Sequence, residues 1–273
     1  TDVDLVVTEG LQGAAVVQRA DSVLALSGRT TGEVYALGAG TIEGSYGALS
    51  LLADSIVAGD VVLSGVVPVV LTVGADKAAQ AVELTGLVAE SVYGAVYAGA
   101  VTVVSGLMDE LLDVADSATA GAGAGGLLLN GAVELVLSED SQAQSVSAAD
   151  LGKLNALTQG KVVAFAADTI EGSADSVVAL LGERNLQHVL FGDSVTIDLT
   201  DTAVLRADTL SFISGALGGD TGGVVDARDA ASVQGAAGQL LAVTADSSTT
   251  HGVVLATDVD LVVTEGLQGA AVV

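Results

Sequence analysis

The first seventeen residues, Thr1 to Val17, recur letter for letter at 257–273. Separately evolving segments drift apart, so an identity of this length reads as tandem, near-identical blocks. The chain then holds one block (1–256) and the start of an identical second one (257–273). A deliberate overlap of the chain with its own start is the alternative. A block that follows itself must pack against its own copies, and this restricts the fold to architectures that grow by repetition.

The block divides again. An alternating segment recurs at Val3–Val7, Val67–Leu71, Val133–Leu137 and Val195–Leu199, and once more from Val259. These near-even starts define four subrepeats: 1–65, 66–131, 132–193 and 194–256. A second motif, Gly-x-Val-x-Ala-x5-[Ile/Val]-x-Gly, fixes the register. Its copies are Gly32/Val34/Ala36/Ile42/Gly44, Gly94/Val96/Ala98/Val104/Gly106, Gly160/Val162/Ala164/Ile170/Gly172 and Gly223/Val225/Ala227/Val233/Gly235. This spacing predicts two short strands with the Val and Ile side chains turned inward. The bounding glycines serve either a positive φ or a close approach of backbones.

Helical spacing flanks the motif on both sides. After it, Leu49 and Leu52, Leu111 and Val114, Val177 and Leu180, and Leu240 and Val243 form i, i+3 pairs that share a helix face. Before it lie Ala20–Leu26 and Asp150–Leu157, with Asp21, Asp150 and Asp208 placed as N-caps. Closing strands follow at Val61–Leu63, Leu127–Leu129, Val189–Phe191 and Val253–Leu255. Each subrepeat reads strand, short helix, paired strands, short helix, strand. The fold class expected is α/β, a repeat solenoid of short parallel strands and short helices. An all-β solenoid with the Ala-rich pieces as coil is the alternative. Pro68 cannot donate to a strand ladder, so it is expected at an edge or a strand start.

Composition supports thin layers over one large core. Hydrophobic residues make up 51%, yet aromatics only 3%, with no Trp and 35 Gly, so small aliphatic side chains must do the packing. Acidic residues outnumber basic ones 34 to 8, for a net charge of −26. Such a surface repels phosphate backbones, so nucleic acid is not an expected partner, and it attracts cations. With no cysteine, disulfides and thiolate metal sites are excluded. The apolar runs, such as Val66–Val73, fall short of the roughly 20 residues that span a bilayer, so no transmembrane segment is expected.

The stretches Arg19–Ala36 and Ala149–Gly160 carry an ADxxxLxxLTTGxVxA texture, from which the second subrepeat departs at Ala89-Glu90-Ser91-Val92-Tyr93-Gly94. This texture resembles very large, repetitive bacterial extracellular and cell-surface proteins. The resemblance implies a secreted or surface-exposed repeat protein and brings no catalytic residues with it.

Residues with chemistry are few. His188 and His251 precede closing strands and read as loop-edge residues; no Ser-His-Asp order, Walker loop or HExxH motif accompanies them, so no enzyme is expected. The third subrepeat comes nearest to a polar site, with Arg184, Asn185, His188 and Asp193. Carboxylates cluster at the opening strand as Asp2, Asp4 and Glu9 and again as Asp258, Asp260 and Glu265, with Glu134, Glu139, Asp140, Asp198 and Asp201 near the matching place elsewhere and only Asp76 in the second subrepeat. Calcium takes six to eight oxygens from such groups, so these six are the metal candidates, as a structural ion and not a catalytic cofactor. A solvated acidic face is the alternative. Tyr35 and Tyr97 share a motif position, with Phe165 nearby, which would suit either local packing or an aromatic ladder for glycan.

The expectation is a structural protein: a rod, filament or surface layer outside the cell, self-associating through further tandem copies or identical chains. An adhesin or glycan-binding spacer is the alternative.

Overall fold

Alternation of Val, Ile and Leu with polar residues, interrupted by short helical stretches, produces the architecture seen in the computed structural model, which describes residues 3–7, 16–74, 77–90, 92–119, 126–138, 144–218, 223–245 and 252–264. The chain divides into two compact units, Thr1–Val136 with Leu157–Gly160 and Leu137–Ala156 with Lys161–Val273.

In the first unit the elements run β1 (Leu5–Val6), β2 (Val16–Arg19), α1 (Ala20–Ser27), β3 (Val34–Ala36), β4 (Ala39–Gly44), α2 (Tyr46–Ala58), β5 (Val61–Leu63), β6 (Val67–Leu71), β7 (Ala78–Gln80), α3 (Ala81–Ala89), β8 (Tyr93–Ala98), β9 (Val103–Gly106), α4 (Met108–Thr119), β10 (Leu127–Leu129) and β11 (Glu134–Leu137). Two of its sheets have the strand orders β1-β3-β5 and β2-β4-β6-β8-β10, and β9 pairs with β7. In the second unit follow β12 (Gln144–Ser147), α5 (Ala148–Leu157), β13 (Val162–Val163), β14 (Ala167–Gly172), α6 (Ala174–Asn185), β15 (Val189–Leu190), β16 (Thr196–Leu199), β17 (Val204–Arg206), α7 (Ala207–Ala216), β18 (Val224–Ala227), β19 (Ser232–Gly235), α8 (Ala237–Ala245), β20 (Gly252–Leu255) and β21 (Asp260–Val263). Its sheets run β12-β14-β16-β18-β20 and β17-β19-β21, and β13 pairs with β15. The strand pairs named are parallel, no barrel closes among the described residues, and the helices rule out the all-β alternative.

Parallel strands need a crossover, and here short helices and turns supply it. The inward rows follow from the register. Ile42 stands beside Val69, and Val69 beside Val96, with the same interval along the chain at both steps. In the second unit Ile170, Ile197, Val225 and Val253 stand in one row, again at almost constant intervals. None of these seven side chains has exposed surface. The Val, Ala and Ile positions of all four motif copies lie on the inner face, as their alternation predicts. The helices close the layer. The predicted pairs Leu49/Leu52, Leu111/Val114, Val177/Leu180 and Leu240/Val243 are all buried, and each such side chain contributes about 1.5–3 kcal/mol.

The eight motif glycines serve close approach. None has a positive φ, in contrast to Gly59, which ends α2 at φ +86. A Cβ on Gly32 would sit 2.7 Å from the Val3 carbonyl carbon, and one on Gly94 3.3 Å from the Pro68 nitrogen. On Gly160 and Gly223 it would press still closer on the carbonyl oxygens of Val133 and Val195. The first glycine of each copy thus lies against the backbone of an opening strand. The last glycine lies against the first alanine of a helix. A Cβ would stand 2.9 Å from Ala20 Cβ at Gly44, 2.6 Å from Ala81 Cβ at Gly106, 3.1 Å from Ala148 Cβ at Gly172 and 2.8 Å from Ala207 Cβ at Gly235.

The Thr-x-Gly signature also has a structural basis. Thr30 Oγ1 donates to the Val3 carbonyl and accepts from the Gly32 N–H at 3.0 Å. Thr158 Oγ1 donates to the Val133 carbonyl and accepts from the Gly160 N–H at 2.8 Å. Where the second subrepeat departs from the signature, Tyr93 is buried and its hydroxyl donates to the Leu49 carbonyl, and burial pushes its pKa up.

Two local expectations need correction. Asp21, Asp150 and Asp208 are not N-caps but lie inside the first turn, where a carboxylate favours the positive end of the helix dipole. At α1 and α7 the cap residues, Arg19 and Arg206, make no side-chain cap bond, whereas α5 and the even-numbered helices are capped. Ser45 and Ser173 accept from Ala48 and Ser176 N–H, and Ser147 Oγ accepts from Ala149 N–H at 3.2 Å. Glu110 and Gln239 reach back from the third helical position to Leu107 and Ala236 N–H. Pro68 sits on neither an edge nor a strand start. It is the second residue of β6, in the middle of its sheet, where the pairing with β8 slips between Val67↔Tyr93 and Val69↔Val96. The slip leaves Pro68 without a donor to supply.

Gly152, exposed inside α5, has nothing within 4 Å of a built Cβ. Gly152→Ala will therefore stabilise the protein by about 1 kcal/mol in urea titration, the helix-propensity difference alone.

Candidate functional site

Outward strand positions carry whatever the chain presents to its surroundings. In the five-stranded sheet of the second unit, Ser147, Glu171, Asp198 and Asp226 form one outward row across β12, β14, β16 and β18. Neighbouring strands lie about 4.8 Å apart, so three carboxylates stand in succession. Asp198, in the middle, has its pKa raised above the ordinary aspartate value, by burial first and then by the charges of Asp226, Asp229 and Glu171; Arg228 opposes this. Arg228 Nε donates to Asp226 at 2.9 and 3.0 Å, and this hydrogen bond holds the Asp226 pKa down. The matching row of the first unit, Arg19, Glu43, Val70 and Tyr97, offsets its one carboxylate with Arg19 and turns apolar.

The sign of the Asp198 shift sets a pH dependence. A carboxyl with a raised folded-state pKa destabilises the fold once ionised. That penalty is full above the folded pKa and absent below the unfolded one. Asp198→Asn will raise the melting temperature at pH 7, and the gain will fade as pH drops through the carboxylate range. An equal gain at pH 3 and pH 7 would show that charge is not its source.

Of the six metal candidates, Asp2, Glu9 and Glu265 lie outside the described residues. Asp4 Oδ1 accepts from the Glu33 N–H at 3.0 Å, which ties the opening strand to the turn before β3. Asp258 and Asp260 are exposed, Asp260 as the first residue of β21. Among the described residues no three His, Asp or Glu side chains gather closely enough to hold an ion. Asp76, Glu139 and Asp140 lie outside the described residues, and Asp201 accepts from the Ala174 N–H at 2.6 Å at the start of α6.

The polar residues of the third subrepeat come together as structural ties. Glu183 Oε2 meets His188 Nδ1 at 2.9 Å and accepts from Asn155 Nδ2 at 3.1 Å, linking α6 to α5; the His188 hydrogen bond lowers the Glu183 pKa. Arg184 donates to the Ala216 carbonyl at 2.8 Å and to Asp193, and its guanidinium lies 4.8 Å from the Phe191 ring centre. Asn185 ends α6, exposed, and His251 lies outside the described residues. Tyr35 on β3 and Tyr97 on β8 belong to different sheets, so they do not form one ladder; Phe165 is exposed in the second unit.

No family model matches the chain, and no curated protein or solved structure matches it. No helix among the described residues is long and apolar enough to cross a membrane.

Among the described residues β1 and β21 are edge strands of three-stranded sheets, as β5 and β17 are at the opposite edges. After Asp260 the side chains on β21 are apolar yet open, with Leu261, Val262 and Val263 exposed by 47%, 44% and 53%. Alternation in the sequence marks both strands but not their edges, because register joins residues far apart along the chain. The acidic row is hidden for the same reason. One local signal does exist: Thr-Ile-Glu-Gly occurs at both 41–44 and 169–172, marking equivalent rows.

Proposed function

We propose that this chain is a structural repeat protein: a segment of parallel α/β solenoid whose coils stack end to end into a rod, filament or surface layer outside the cell. The observation that carries the reading is the register. Strand after strand lies on the strand one coil later, as Gln18 lies beside Ile42 and Val96 beside Leu127, with the same motif positions inward each time. Such coils bury their apolar faces only against further coils. The identity between 1–17 and 257–273 supports continuation in the same register. The acidic exterior keeps rods apart, and cations bridging carboxylate rows would bring them together. The location outside the cell rests on the resemblance to repetitive bacterial surface proteins.

Electron microscopy of the native material, with the length of the intact polypeptide, tests the proposal. Uniform fibres with an axial repeat set by one 1–256 block support it. Discrete monomeric particles at all concentrations would sink it.

A further inference from the structure

The chain has three asparagines, and they stand in different settings. Asn155 lies inside α5 before Ala156, with its Nδ2 donating to Glu183 at 3.1 Å. Asn185 ends α6 before Leu186. Asn130 alone precedes a glycine. It follows β10 at the corner that leads into β11. The corner is a β-turn closed by the Val133 N–H, which donates to the Asn130 carbonyl at 3.1 Å. The Asn130 side chain folds onto the same turn, where its Oδ1 accepts from the Ala132 N–H at 3.0 Å. Asn130 is half-buried, while Gly131 and Ala132 are open to water.

These two hydrogen bonds act on the two partners of one intramolecular reaction. An amide N–H becomes more acidic when its own carbonyl accepts a hydrogen bond, so the bond from Val133 eases loss of the Gly131 proton. The bond from Ala132 polarises the side-chain carbonyl and stands ready for the negative charge that attack at Cγ places on Oδ1. It also closes a ring of atoms that contains the Gly131 nitrogen, which keeps nucleophile and Cγ on one short loop. Gly131 has no Cβ to obstruct the approach, and nothing lies within 4 Å of where one would stand. Among the described residues no backbone carbonyl accepts from the Gly131 N–H.

We propose that Asn130-Gly131 is a self-modification site, at which the turn converts the asparagine into aspartate and isoaspartate without an enzyme. Hydroxide removes the Gly131 amide proton, and the nitrogen pair forms a bond to Asn130 Cγ. The Cγ=O π pair moves onto Oδ1 and returns as the Cγ–Nδ2 bond breaks. Nδ2 takes a proton from water and leaves as ammonia. The product is a cyclic imide that joins Cγ to the Gly131 nitrogen. Water then opens the ring at either carbonyl. Cleavage at Cγ leaves aspartate. Cleavage at the backbone carbonyl leaves isoaspartate, with the main chain routed through Cβ and longer by a carbon. Either product adds a negative charge. Isoaspartate also displaces Gly131, whose carbonyl accepts from the Gln159 N–H at 2.7 Å, and so loosens the tie between this corner and Leu157–Gly160.

The test is incubation of the full chain at neutral and alkaline pH, both folded and in urea, followed by peptide mapping with mass spectrometry. The peptide that holds Asn130 is expected to gain the mass of OH in place of NH2 and to split into aspartate and isoaspartate forms, faster as pH rises. Conversion there should outrun that at Asn155 and Asn185 by about tenfold or more. The folded chain should react at least as fast as the chain in urea, because the turn assembles the reaction. Gly131→Ala puts a methyl into open space, so it should keep the fold and slow conversion by about tenfold. Hydrogen exchange at the Gln159 amide should speed up in aged protein, whereas Asn130→Asp, which adds the charge without the extra carbon, should leave it slow. Four outcomes overturn the site: no isoaspartate at Asn130, equal conversion at all three asparagines, an unchanged rate in Gly131→Ala, or faster conversion in urea, which would mean that the turn shields the side chain. Unchanged exchange at Gln159 in the isoaspartate form would refute the loosening.

Discussion

Gly223→Ala will destabilise the protein by about 3 kcal/mol or more, read as a shift of the urea midpoint. The added methyl would overlap the Val195 carbonyl oxygen and stand 2.9 Å from its carbon and 3.1 Å from the Asp193 oxygen. All three obstacles are backbone, which cannot rotate away as a side chain can. The same substitution at the equivalent positions makes a graded series. Gly160→Ala, also against carbonyl oxygens, will cost nearly as much. Gly32→Ala, 2.7 Å from Val3, will cost less, and Gly94→Ala, 3.3 Å from Pro68, least. A flat series, or Gly94 as the most sensitive member, would show that close approach is not why the motif begins with glycine.

Ile197→Ala is the second large effect, at about 2–5 kcal/mol. Ile197 lies in β16, the middle strand of its sheet, fully buried between Ile170 and Val225. Rows of this kind contain no aromatic side chain to swing into a cavity, so collapse around the truncated residue is limited. Leu51→Ala, on the outer face of α2 and 60% exposed, is the control and will stay within about 0.5 kcal/mol of the parent. Comparable losses at the two positions would contradict an inner row as the seat of stability.

The inner face of this fold is legible in the sequence because period-2 alternation and i, i+3 pairs repeat four times. Spacing alone turns Val34, Val96, Val162 and Val225 inward, and all four are buried. The short strands before the odd-numbered helices, such as Gln144–Ser147 and Val204–Arg206, leave no such mark. They are brief and partly polar, and they form because a neighbouring strand offers its edge. The helix starts mislead for a local reason: an aspartate in the first turn satisfies the helix dipole and resembles a cap, while α5 is capped by Ser147 and the cap residues of α1 and α7, Arg19 and Arg206, make no side-chain cap bond. Of the candidate sites, the polar group around His188 stands out in the sequence, but its contacts are those of a tie between helices. The acidic row through Asp198 is invisible there because its members lie on neighbouring strands of one sheet, far apart along the chain.

The buried hydroxyl of Tyr93 has a spectroscopic consequence. The chain has no tryptophan, and its four tyrosines, Tyr35, Tyr46, Tyr93 and Tyr97, all fall in the first unit. Tyrosine absorbance and fluorescence therefore report on that unit alone, with Tyr93 changing most as its ring leaves the interior and its bond to the Leu49 carbonyl breaks. Ellipticity in the far ultraviolet sums both units. The native chromophores thus separate the two halves of the polypeptide without a label, and the half that carries the acidic row is the silent one.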